Sequence, residues 1–262
     1  MIRRLRTALG AAAITAVVLA GCNGTAAGPA LTDPKAIVAA AITSTQAARS
    51  VHLDVTAAGT ATIALPIAGG TGTSVDLTGT MASADIDFAR PAAKATISVP
   101  AVLNFGGALI AVDGSAYLRT TLTGPLYQQS AAAAAPLDPT QAKAMIGSLG
   151  GLLAAPGVNL TKGEDIACGS KSCYTVSANL TAADLGASAA SALSGLPIDL
   201  AGATLRLTIR VEKDLPYHLA GVTAVVSTPK DTTVTIELTA SKWDEPVSVS
   251  APPADQVKPA AS

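Results

Sequence analysis

Apolar and polar residues alternate with a period of two along several stretches of the chain. Val51, Leu53 and Val55 alternate with His52, Asp54 and Thr56, and Val75, Leu77 and Gly79 alternate with Asp76, Thr78 and Thr80. Near the C-terminus Leu205, Leu207, Ile209 and Val211 alternate with Thr204, Arg206, Thr208 and Arg210, and Val234, Ile236 and Leu238 repeat the pattern. Successive side chains of a strand point to opposite faces, so each stretch predicts a strand with one apolar and one wet face. Apolar runs at 95–99, 109–112, 117–122 and 222–227 add further strands. Asp113-Gly114 is a strong signal for a two-residue hairpin turn, and Pro229-Lys230-Asp231 marks the turn between the last two strands. So many half-buried strands predict an antiparallel sheet.

Helical spacing replaces alternation in three places. Asp33 is placed to cap a helix whose first turn holds Pro34, where the missing N–H costs nothing. Ile37, Val38, Ala41 and Ile42 then form its apolar stripe, and it should end near Ser50. Asp138-Pro139 repeats that start, with Ala142, Met145, Ile146, Leu149, Leu152 and Leu153 on the apolar side. Thr181 and Asp184 resemble a capping box ahead of a weaker, Ala/Ser-rich helix through Leu185, Ala189 and Leu193. The order is helix, strands, helix, hairpin, helix, strands, which makes the chain α+β. About ten strands share one apolar face, and three striped helices are available to cover it. Sheets of that size curl, and one lined by small side chains leaves volume unfilled.

Composition sharpens this picture. Apolar residues make up 49% of the chain but aromatics only 3%, so the core must be built from Ala, Val, Leu and Ile. Charged residues are 13%, with no clustered Lys/Arg face of the kind nucleic acid requires.

The N-terminus is distinct from everything after it. Arg3, Arg4 and Arg6 precede an apolar run from Leu9 to Ala20, the make-up of a secretory signal peptide. The run falls short of the ~20 apolar residues that span a bilayer. At its end, Leu19-Ala20-Gly21-Cys22 resembles a lipobox, where a diacylglycerol is attached to the cysteine and the chain is cut before it. Residues 1–21 are then signal, 22–31 a lipidated tether, 32–253 a single domain and 254–262 a flexible tail. Removing the three signal arginines takes the formal net charge from −1 to −4. Each buried CH₂ contributes ~0.8 kcal/mol, so two or three acyl chains hold where one does not. The location implied is outside the cytoplasm, on a membrane.

Cys168 and Cys173 remain after lipidation. Outside the cytosol such a pair reads as a disulfide. Here it clips a polar turn containing Gly169 between strand-like 164–167 and 174–178. A redox site would show Cys-x-x-Cys, and zinc would need two more ligands. The loop looks remote from the core, so a double serine variant is expected to fold.

The segment from Leu238 to Pro253 contains a last long strand, Trp243-x-x-Pro246-Val247 and Ala251-Pro252-Pro253. With the lipobox, the early helix and the strand order, it resembles the LppX/LprAFG family of actinobacterial lipoproteins. The hairpin Asp113-Gly114-Ser115-Ala116-Tyr117-Leu118 resembles a second pattern of that family. The resemblance implies a half-open antiparallel β-barrel with about three helices on its concave face, similar to the carriers that move lipoproteins across Gram-negative periplasms. It implies an acylated lipid or glycolipid held in a hydrophobic cavity and carried toward the outer envelope. The partners implied are that lipid, the membrane under the anchor and an envelope lipid transporter. Strand phase and helix stripe nominate Val75, Leu77, Ile97, Val99, Leu109, Leu118 and Met145 as cavity-lining. A register error of one residue reverses every strand face.

Catalytic chemistry finds little support. His52 and Asp54 share a strand face, and His218 follows Pro216-Tyr217, but no Gly-x-Ser-x-Gly elbow or phosphate loop accompanies them. Both histidines are expected to face solvent, and Trp243 to anchor the end of the last strand. No catalytic residue, metal or cofactor is expected. The alternative reading is a surface lipoprotein with a closed core that acts as a non-catalytic scaffold. An apolar cavity separates the two.

Overall fold

The first helix, α1 (Pro34–Ala47), starts where the sequence places it: Asp33 accepts the Lys35 N–H at 3.2 Å and Pro34 occupies the first turn. The structure is a computed structural model and describes residues 29–63, 73–131, 139–155, 157–181, 184, 202–229 and 232–258. Signal, lipobox and most of the tether lie outside the described residues, as do 185–201 and with them the third helix. At the foot of that segment, Asp184 accepts the N–H and the hydroxyl of Thr181, each at 2.7 Å.

After α1 come β1 (Ser50–Ile63), β2 (Thr73–Asp76), β3 (Thr80–Asp87), β4 (Ala92–Val99), β5 (Phe105–Val112), β6 (Ser115–Thr120) and β7 (Gln128–Ala131). Helix α2 (Pro139–Ala154) follows, then β8 (Leu160–Lys162), β9 (Ile166–Cys168), β10 (Lys171–Thr181), β11 (Thr204–Glu212), β12 (Leu219–Ser227) and β13 (Thr233–Ser241). All thirteen form one antiparallel sheet in the order β7-β6-β5-β4-β3-β1-β13-β12-β11-β10-β8, with β2 beside β1 and β9 beside β10. Among the described residues the sheet does not close, and β7 and β8 lie at its two ends.

Two sequence expectations change. The strand read through Val75 and Thr80 is broken: β2 stops at Asp76, Gly79 turns at φ +83°, and β3 begins at Thr80. Gly79 had fitted the alternation only because glycine fits either class. The segment from Ala254 is not free. A short 3-10 helix (Ala254–Gln256) leads to backbone bonds of 2.8 Å between Tyr127 and residues Gln256 and Lys258, which pin the chain as far as Lys258.

Among the described strands, the two halves of the sheet meet at β1 and β13. Gly59 makes that seam possible: at φ +104°, a Cβ there would lie 2.1 Å from the Thr233 carbonyl oxygen. In the β8–β12 half, α1 buries Ile37, Val38 and Ala41 against Tyr174, Val176, Ala178, Leu207, Ile209 and Val211, joined by Leu153 of α2. Packing of α2 on α1 is close, since a Cβ on Gly150 would meet Ile42 Cγ2 at 3.0 Å. Lys143 of α2 donates to the Gln46 and Ala48 carbonyls at 2.8 and 2.9 Å, satisfying groups that a helix C-terminus leaves unpaired. Where the chain enters, the Tyr217 hydroxyl donates to the Pro29 carbonyl and the Tyr174 hydroxyl accepts the Leu31 N–H. The chain is therefore held from Pro29 onward.

Candidate functional site: an apolar groove on the β1–β6 half

Strand register stacks side chains into rows across the sheet. Leu53 pairs with Ala84, Ala84 with Ala95, Ala95 with Leu109 and Leu109 with Leu118. The neighbouring row runs Val55, Ala82, Ile97, Gly107 and Thr120. Across the seam Val55 meets Leu238, which leads through Val222 and Ile209 to Val176, all on the face that α1 covers. One apolar face therefore runs the width of the molecule. Helix α1 shields the β8–β12 half; among the described residues, no helix covers the same face over β3–β6.

The two rows and Phe105 line a groove of about 280 Å³. Its floor is shallow-sided because the row residues are small: Ala82, Ala84, Ala95 and Gly107 project little or nothing. Its rim is apolar, with Ile97 at 41% and Leu118 at 39% exposed. No charged side chain lines it, and the sequence from Ala95 to Val112 carries none.

Of the residues nominated from sequence, Ile97, Leu109 and Leu118 line the groove. Val99 stands one row further along, opposite Phe105. Val75 pairs with Ala61 beyond the groove, and Leu77 follows it in the β2–β3 turn, its N–H bonded to the Gly59 carbonyl. Met145 lies on α2. The small residues that give the groove its depth went unnominated, since alanine and glycine carry almost no periodic signal.

The opposite face is polar. His52 Nδ1 lies 2.6 Å from Asp85 and Nε2 lies 3.2 Å from Asp54, while Lys94 reaches Asp85 at 3.2 Å. Burial raises the Asp85 pKa, but the His52 and Lys94 bonds outweigh it and hold the carboxyl below its ordinary value. Among the described residues, no group of three or more His, Cys, Asp or Glu is arranged to hold a metal ion. A larger cleft of about 600 Å³ also lies on this face, lined by Lys171, Arg210, Glu212, His218 and Trp243 among others. Its charges suit it poorly to an acyl chain. His218, expected at the surface, is only 6% exposed. Its ring stacks under Trp243.

Cys168 and Cys173 are joined by a disulfide at the β9–β10 hairpin. The expectation that this loop is remote from the core needs correction, because Cys173 is 0% exposed.

The family model of LppX_LprAFG lipoproteins matches residues 33–249, nearly all of the described domain. The chain belongs to the LppX_LprAFG lipoprotein family. Among solved structures, this family member is similar to LprF from Mycobacterium bovis, at 19% identity and TM-score 0.54, over 84% of this chain and 96% of that one. It is likewise similar to the lipoprotein LppX of Mycobacterium tuberculosis, at 19% identity and TM-score 0.52, over 84% of this chain and all of that one. At that identity the likeness shows the fold. A comparison with curated protein sequences finds no match. No helix among the described residues is long and apolar enough to cross a membrane.

Proposed function

We propose that this LppX_LprAFG lipoprotein is a non-catalytic lipid carrier, anchored at a membrane by acyl chains on Cys22, that shields an acyl chain of its cargo in the β1–β6 groove. The observation that carries the reading is the groove: an uncharged, apolar trough on the same sheet face that α1 seals in the other half. Burial supplies the affinity, at ~25 cal/mol per Å² of apolar surface removed from water. At about 280 Å³ the groove falls just below the ~300–1,000 Å³ usual for ligand pockets, which suits a stretch of one chain rather than a whole multi-chain lipid. The direction proposed is outward, from the anchoring membrane to the outer envelope. The scaffold reading draws on the closed β8–β12 core but leaves the open groove without a use.

The test is lipid extraction and mass spectrometry on the purified mature chain carrying Cys22→Ser, beside the same chain with Ile97→Trp. A tryptophan at this half-exposed rim position fills the trough while leaving the core intact. The expected result is bound acylated lipid in the first protein and a loss of about tenfold in the second, with unchanged circular dichroism. Equal lipid in both, or none in the first after exposure to vesicles, overturns the carrier.

A further inference from the structure

Two of the most exposed leucines of the described chain lie on neighbouring turns at one end of the groove. Leu103, 85% exposed, is at the tip of the β4–β5 turn; Leu122, 71% exposed, is in the β6–β7 turn. Gly106 and Thr121 tie the two turns together. The Thr121 N–H donates to the Gly106 carbonyl at 2.8 Å, and the Gly106 N–H donates to Thr121 Oγ1 at 3.2 Å. Each turn is also fixed internally. Leu103 and Asn104 adopt φ of +51° and +50°, with Asn104 N–H donating to the Pro100 carbonyl and Phe105 N–H to that of Val102. Thr120 and Thr123 hydrogen-bond to each other through hydroxyls and backbone. These leucines are held out by ordered turns, with Val102 and Leu126 exposed beside them.

The groove runs into this end, since Phe105 and Thr120 line it and directly adjoin the two turns. Although Asp255 and Lys258 lie on the C-terminal segment bonded to Tyr127, on the two turns themselves charge is scarce. From Ala95 to Val112 there is none, and from Ser115 to Ala131 only Arg119, in a chain that is net negative. On the neighbouring β2–β3 turn Asp76 is engaged by the Thr78 N–H at 2.9 Å. The anchored N-terminus enters elsewhere, at Pro29 beside Tyr174 and Tyr217, by the Val211 end of the sheet.

We propose that the β4–β5 and β6–β7 turns form a docking surface for a phospholipid bilayer, with Leu103 and Leu122 inserted among the acyl chains and the groove mouth placed at the interface. Uncharged leucine tips fit hydrocarbon, and the absence of carboxylates on these two turns spares them the repulsion that the rest of this acidic chain meets at an anionic membrane. An apolar rim continuous with the groove lets a chain pass from bilayer to protein without crossing water. The proposal rests on the lipid-carrier reading for its purpose, but its test does not.

The test is flotation of the mature chain with Cys22→Ser, which has no acyl anchor, with vesicles of phosphatidylethanolamine and phosphatidylglycerol. The parent is expected to float. Leu103→Ser with Leu122→Ser should weaken apparent vesicle affinity about a hundredfold, roughly tenfold for each leucine withdrawn from hydrocarbon. Leu215→Ser, at an exposed leucine on the opposite end of the sheet, should change nothing. A polarity-sensitive dye on Leu103→Cys should shift to the blue when vesicles are added. A parent that stays with the soluble fraction overturns the proposal and leaves the leucines to a protein partner; a double variant that floats like the parent overturns it too. Lipid retained through purification is measured on the same samples. A lack of lipid both after purification and after exposure to vesicles would sink the carrier reading while flotation still decides the docking.

Discussion

The imidazole of His218 stacks on the indole of Trp243, with ring centroids 4.9 Å apart and planes 18° from parallel. The indole N–H donates to the Leu219 carbonyl at 3.0 Å, and Asp244 approaches the imidazole at 3.7 Å. Burial lowers the His218 pKa from its ordinary 6.5, against the pull of Glu212 and Asp244 and with a small contribution from Lys171 in the same direction as burial. The folded protein thus prefers the neutral ring.

That preference sets a sign. Below pH about 6.5 the unfolded chain takes up a proton on this residue that the folded chain resists. Stability should fall as pH drops from about 7 through the folded-state pKa, then level off for this group. His218→Phe keeps the stack and removes the proton site, so the variant should lose less stability between pH 7 and pH 5. Urea unfolding followed by Trp243 emission at the two values is the measurement. An equal loss in parent and variant would show that His218 does not titrate on unfolding.

Asp87 closes the β3–β4 turn by accepting the Ala89 and Arg90 N–H groups at 3.0 and 2.9 Å and the Arg90 guanidinium at 3.0 Å. Burial raises its pKa, and these donors together lower it below 3.8. Its stabilisation is present above the unfolded value and lost as pH falls through the folded one. Asp87→Ala leaves two turn N–H groups without their acceptor and should cost about 1–3 kcal/mol. Chemical unfolding at pH 7 and pH 3 tests both statements, since the gap between parent and variant should shrink in acid.

Much of this was legible beforehand for a physical reason: strong local signals act on few residues. Asp33-Pro34 gave the start of α1, and Asp113-Gly114 gave the β5–β6 hairpin, with φ of +51° and +72° as such a turn demands. The alternation at 204–211 became β11. What stayed hidden was made of small residues. In β3, Ala82, Ala84 and Ile86 face one way and Met81, Ser83 and Asp85 the other, but alanine beside serine gives little contrast. His218 was misplaced because its burial depends on Trp243, distant in sequence. The groove was invisible for a related reason: its depth comes from side chains that are not there.

Cys22→Ala should abolish acylation and leave the signal uncleaved at this site. Labelling of expressing cells with an alkynyl fatty acid, followed by capture of the protein, should show label on the parent alone. Equal label on both would reject the lipobox.

The Cys168–Cys173 bridge closes a short loop, for which chain entropy gives about 2 kcal/mol. Because Cys173 is fully buried, Cys168→Ser with Cys173→Ala is a cleaner variant than the double serine, which would bury a hydroxyl. We expect it to fold with a stability loss of about 2–4 kcal/mol by urea titration. Non-reducing peptide mapping of the parent should recover the linked pair; free thiols at both positions under thiol-trapping would reject it.

The β1–β13 seam has a consequence for how the molecule comes into being. His52 faces Ser241 there, so the central ladder joins residues from opposite ends of the chain, whereas β3 to β7 and β10 to β13 are knit from successive neighbours. Loop-closure entropy makes such a distant pairing slow relative to the local hairpins. A chain that emerges N-terminus first can assemble the groove-bearing strands long before β13 arrives. Until then β1 presents an unpaired edge to every other nascent copy, the condition under which strands of separate molecules exchange. Completion of the last strand is thus what closes that edge.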